Sequence, residues 1–155
     1  LSLITESGNG DSNSESYVDV AYVDAYFLKR GNTEWGLITN KESRIVLAMD
    51  YIENNYTYLG TKLVSTQSLS FPRLIDGETV YPASLKSAVC ELALKANSGD
   101  LLQDTGKTTI REKVGTLEVE YDANQDDLTS YNYVNKLLAP YLVSTSSFSY
   151  SISRV

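Results

Sequence analysis

Two acids one residue apart, Glu118 and Glu120, have the spacing that places both carboxylates on one face of a strand, as paired-carboxylate chemistry would need. Their surroundings predict a plainer role. With Gly115-Thr116 as a two-residue loop, residues 110–121 read as one β-hairpin in which Glu118 faces Lys113 and Glu120 faces Arg111. Glycine at the first loop position suits a type II′ turn, because it takes a positive φ at little cost. Val114 then faces Leu117 and Ile110 faces Tyr121, while Leu117, Val119 and Tyr121 share the opposite face. The acids are accounted for as cross-strand ion pairs.

Other groupings with chemical potential fail on spacing or context. Gly99 and Gly106-Lys107-Thr108 resemble a phosphate loop, but six residues separate the glycines where four are needed. That segment also follows a helix, so no helix N-terminus is there to receive a phosphate. Asp11, Asn13 and Glu15 alternate like the start of a calcium loop, yet Ser16 stands where glycine is required and Tyr22 where the bidentate acid belongs. Asp50 and Glu53 lie on a helix with solvent on at least one side, and Asp126-Asp127 suit the positive end of the helix that follows. Cys90 sits in an apolar helix as a buried, inert thiol.

The chain contains no histidine, which removes the commonest general base, the usual partner of a nucleophilic Ser or Cys, and the commonest metal ligand. A single cysteine excludes an internal disulfide and leaves no thiol-based metal site. The expectation is a protein that is not an enzyme, with no catalytic residues, cofactor or metal. At 155 residues, 42% hydrophobic and 21% charged, the composition is that of one globular domain, and no apolar run is long enough to span a membrane. A formal charge of −7 argues against tight binding to a nucleic-acid backbone. Tyrosine occurs twelve times against three Phe and one Trp, a choice that suits surfaces both wet and adhesive.

Several elements are legible. Residues 1–18 read as a polar leader rich in turn formers. A first helix is expected from Asp19 as N-cap to Arg30, stopped by Gly31, with Val20, Val23 and Phe27 on its core face and Tyr22 and Tyr26 beside them. A second starts at a capping box, Thr39 with Glu42, and buries Ile45, Ala48, Met49, Ile52 and Tyr56. The third, with Pro82 in its first turn and Gly99 at its end, carries Leu85, Ala88, Val89, Leu92, Ala93 and Ala96, small enough in places to be the central helix. Between the second and third, Asp76-Gly77 signals a turn across which Leu74-Ile75 and Val80-Tyr81 can pair. A fourth helix is expected over about 128–142, burying Val134, Leu137, Leu138 and Tyr141 and ended by Pro140. In residues 144–155, Phe148, Tyr150 and Ile152 alternate with serine in the period of a strand. The predicted fold is mainly α: a four-helix bundle over residues 19–142, one protruding β-hairpin at 109–121, and extended N- and C-terminal arms, the latter at 143–155.

The run from Leu3 to Gly10 followed by Asn13 to Val18 resembles the opening of small tailed-bacteriophage head–tail connector proteins. So do Asp24-Ala-Tyr26, Arg30-Gly-Asn32, Trp35, Met49-Asp-Tyr51, Phe71-Pro-Arg73, Glu91-Leu-Ala93, and Arg111 to Gly115 with Leu117 to Tyr121. The resemblance covers nearly the whole chain in the same order, and such sequences are sometimes labelled DnaT-like. It implies a structural virion protein at the head–tail junction, met in the host cytoplasm during assembly. Such a protein forms a homo-oligomeric ring, usually of twelve copies, between the portal protein and a tail or nozzle protein, with genomic DNA passing through its lumen and no membrane partner. On that expectation Arg111, Lys113, Glu118, Glu120, Tyr121, Phe148, Tyr150 and Ile152 are the assembly interface. The DnaT-like label implies the alternative, a single-stranded-DNA-binding replication accessory protein, which requires a basic groove with stacking aromatics.

Overall fold

The structure is a computed structural model that describes residues 2–99, 101 and 131–144. Four helices are found among the described residues: α1 (Val20–Lys29), α2 (Lys41–Asn54), α3 (Ala83–Ala96) and α4 (Asn132–Leu138). They are joined by one three-stranded antiparallel sheet of β1 (Thr61–Lys62), β2 (Arg73–Ile75) and β3 (Glu78–Val80), in the order β1-β2-β3. The predicted four-helix bundle is therefore corrected to a mixed α/β architecture. Helix length gives the physical reason. At 1.5 Å per residue, α1 is about 15 Å long and α4 about 10 Å, too short to enclose a bundle core around the longer α2 and α3. The remaining core surface is covered by loops, through Tyr17, Val18, Tyr58, Leu69 and Phe71, with Val80 of the sheet packed against them.

Helix α3 is the centre of the packing, touching α1, α2 and α4, with its most extensive contact to α2. Its buried Ala88, Ala93 and Ala96 allow that close approach, as the sequence predicts. Asp19 caps α1, its Oδ1 accepting from the Tyr22 amide at 2.8 Å, and Gly31 closes the helix at φ 67°. The capping box expected at α2 does not form. The N-cap there is Asn40, which makes no side-chain cap bond. The final helix runs into a single 3-10 turn, Ala139–Tyr141, where Pro140 ends the regular spiral.

The Asp76-Gly77 turn is present, with φ of 54° and 83°, the two positive values of a type I′ hairpin. Its register pairs Arg73 with Val80, Leu74 with Thr79 and Ile75 with Glu78, so Tyr81 lies outside the strand. Strand β1, which has no strand pattern of its own in the sequence, pairs Thr61 with Leu74 and Lys62 with Arg73. Gly60 precedes it at φ 73°, and a side chain there would collide with the Leu74 carbonyl.

The leader is the largest departure from expectation at the local level. It is no extended arm but a closed loop wound around the buried carboxylate of Glu6. Glu6 Oε1 accepts from the amides of Gly8 (2.8 Å) and Gly10 (2.9 Å), and Oε2 from the amide of Asp11 (2.9 Å) and the Ser14 hydroxyl (3.0 Å). Gly8 and Gly10 have φ of 101° and 86°, which lets successive N–H groups converge on one anion. Ser68 ties the loop to the body by donating its hydroxyl to the Ser14 carbonyl at 2.7 Å. The predicted hairpin at 109–121 lies outside the described residues, as does the C-terminal arm beyond residue 144.

Candidate functional site

Helix α1 carries Tyr22, Ala25, Tyr26, Lys29 and Arg30 at positions i, i+3, i+4, i+7 and i+8, one stripe of a helix surface. That stripe, with Ser87 of α3, lines a cleft of about 430 Å³. The helix is amphipathic in two directions. Val23 and Phe27 point into the core, and the stripe borders the cleft beside α3.

The cations of the site are set against aromatic rings. The Arg30 guanidinium carbon lies 3.6 Å from the centre of the Tyr26 ring, and its Nη1 donates to the Tyr26 carbonyl at 3.0 Å. Tyr26 is itself anchored from beneath, its hydroxyl donating to Glu91 Oε2 of α3 at 2.6 Å. Burial, and then the Glu91 hydrogen bond and charge, push the Tyr26 phenol above its ordinary range, so it stays protonated and keeps donating. Lys86 of α3 holds its ammonium 5.5 Å from the Tyr22 ring and 5.0 Å from the Tyr81 ring, within cation–π range. Tyr22 is 38% exposed and Tyr133, at the start of α4, 51% exposed. Tyr133 is near enough to Tyr26 to bear on its ionisation. Chemically, the arrangement offers flat apolar faces with positive charge beside them and no activated nucleophile. Cys90 is fully buried, and burial followed by the Glu91 charge pushes its thiol up to about 12, against the opposing effect of Arg30.

Every predicted interface residue (Arg111, Lys113, Glu118, Glu120, Tyr121, Phe148, Tyr150 and Ile152) lies outside the described residues. The calcium-like acids are committed to the leader's own bonds: Asp11 Oδ2 accepts from the Ser7 amide and hydroxyl, and Glu15 Oε2 from the Ile4 amide. Glu53 accepts from the Tyr17 hydroxyl at 2.6 Å and the Ser70 amide at 2.8 Å, joining α2 to two loops. Among the described residues no cluster of three or more His, Cys, Asp or Glu side chains is placed to hold a metal ion. Sequence alone does not single out the cleft residues, because cations at a helix C-terminus such as Lys29 and Arg30 are explained by the helix dipole, and Tyr22 and Tyr26 by flanking the core face. Their i, i+4, i+8 spacing was the signal available.

Fold and site together define a small α/β domain presenting an aromatic, cation-bearing cleft. The chain belongs to the family described as "Putative DnaT-like ssDNA binding protein", whose model matches residues 1–155. No curated protein and no solved structure matches the chain.

That family match overturns the head–tail connector reading, and with it the portal protein, the tail or nozzle protein, the ring of twelve copies and DNA as a passive occupant of a lumen. The structure supplies the reason the shared motifs misled: those it describes are fold staples. Arg73 of the Phe71-Pro-Arg73 motif donates from Nε to the Leu59 carbonyl (2.6 Å), from Nη1 to Ser70 (3.1 Å) and from Nη2 to Gly60 (2.8 Å). Trp35 donates to Asp24 Oδ1 at 2.7 Å, the leader wraps Glu6, and Glu91 anchors Tyr26. Such motifs specify how the chain folds and carry no information about a ring.

Proposed function

We propose that the protein binds single-stranded DNA at the α1–α3 cleft as an accessory module that performs no chemistry of its own. The observation that carries this reading is the alignment of Lys29 and Arg30 with Tyr22 and Tyr26 along the cleft, with Lys86 over the Tyr22 ring at its side, in a chain whose formal charge is −7. Net charge averages over the whole surface, whereas binding answers to the local field, and a few cations beside aromatic faces are the minimum such a site uses. Family membership supports the same ligand. Lys29 and Lys86 are the phosphate-facing charges in this assignment. Two contacts give a salt slope of roughly −1.4, or about sevenfold weaker binding between about 50 and 200 mM salt.

The test is fluorescence anisotropy of a labelled oligonucleotide of about 15 nucleotides, titrated with the protein at several salt concentrations. The wild type is expected to bind at low salt with that shallow slope. Lys29→Glu combined with Lys86→Glu should weaken binding at least about tenfold and flatten the slope. A wild type that leaves the anisotropy unchanged at the lowest salt removes the proposal.

A further inference from the structure

We infer that the cleft holds its strand chiefly through an unpaired base laid on the outer face of the Arg30 guanidinium, with phosphate contacts secondary. This rests on the single-strand reading above and adds to it which part of the ligand is recognised, and by which residue.

The argument begins with the order already imposed on Arg30. Its guanidinium stands at stacking distance from the Tyr26 ring, 3.6 Å from the centroid, and its Nη1 is tied to the Tyr26 carbonyl. The ring beneath is fixed by burial, the residue being 6% exposed, and by its hydroxyl bond to Glu91. Tyr26 therefore cannot stack on a base directly. Arg30 is exposed and lines the cleft, so it extends the buried ring outward as a flat, charged tile.

A guanidinium is planar, weakly hydrated and stacks on π faces, which an ammonium cannot do. The side-chain freedom that a mobile arginine loses on binding is already lost here before any ligand arrives, so the tile is preorganised. Tyr22 and Tyr133 offer further exposed rings for neighbouring bases. In an acidic chain the phosphate attraction is opposed by the surrounding charge, while stacking is not. A duplex keeps its base faces covered by their neighbours and cannot use such a tile.

The experiment compares two labelled probes of equal length, about 15 thymidines and the same number of abasic tetrahydrofuran phosphates, by anisotropy at low salt. Wild type should bind the thymidine strand at least about tenfold more tightly than the abasic one. Arg30→Lys, which keeps the charge and loses the plane, should lose about tenfold on the thymidine strand and little on the abasic strand. A thermal melt establishes that this variant is folded, and if it is not, the wild-type ratio alone decides. Equal binding of both probes by the wild type overturns the base-stacking inference and leaves single-strand binding standing. No binding of either probe overturns both.

Discussion

At the scale of single residues, the polar side chains that draw attention are mostly spent on the fold. Glu6 shows this most clearly. A buried carboxylate is costly unless its lone pairs are filled, and here three backbone amides and one hydroxyl fill them. Truncation would leave those amides unpaired inside the loop, which is worse than never having had the acid. Glu6→Ala should destabilise the protein by about 3 kcal/mol in urea unfolding, with Glu6→Gln intermediate because it retains an acceptor. A loss below about 0.5 kcal/mol would show that the loop does not depend on its anion. Asp24 works similarly on a smaller scale. Burial raises its pKa, but the hydrogen bonds from Lys41 and Trp35 outweigh that effect and hold the carboxyl below its ordinary range.

At the scale of elements, helix starts separate what a sequence motif permits from what the fold uses. Asp19 and Thr39 both precede helices, and both belong to residue types that cap well. Only Asp19 makes its bond, because α2 begins at Lys41, which puts Asn40 and not Thr39 at the N-cap. Asp19→Ala should therefore cost about 1 kcal/mol, whereas Thr39→Ala should cost no more than a few tenths. Denaturant melts of the two variants side by side check this, and equal losses would contradict the observed boundary. The short sheet follows the same lesson from the other direction. Asp76-Gly77 announced its turn, but β1 depends on Gly60 fitting against the Leu74 carbonyl, a contact with no local signature.

At the scale of the molecule, the tyrosines are the unifying feature. Tyr17, Tyr56, Tyr58 and Tyr81 are all pushed above the ordinary phenol range, burial being the largest cause in each. Their rings meet one another and Phe71 across elements: Tyr58 lies 4.9 Å from Phe71, and Tyr17 6.0 Å from Tyr81. The folded state keeps protons that the unfolded state releases near pH 10, so this contribution is complete below that value and lost as pH rises above it. Circular dichroism melts should show the melting temperature falling steeply above about pH 10, with tyrosinate absorbance rising as structure is lost. A melting temperature that holds steady to about pH 11 would mean these phenols are not buried as described. Tyr17→Phe should shallow the alkaline decline while lowering stability at neutral pH, since Phe71's amide and Glu53 lose their partner.

The sequence by itself determined what local interactions decide: the span of α1 between Asp19 and Gly31, the alanine-lined α3 and the Asp76-Gly77 turn. These follow from capping, periodicity and composition, which act over a few residues. Tertiary structure alone decided the rest. It tied the leader's loop to the body through Ser68 and gave β1 a partner, because both contacts join groups brought together from separate parts of the chain. It also brought Lys86 of α3 over the Tyr22 ring of α1, beside the cleft that the α1 stripe lines together with Ser87. In sequence, Lys86 is sixty-odd residues from Tyr22, and only the packing of α3 against α1 makes them neighbours.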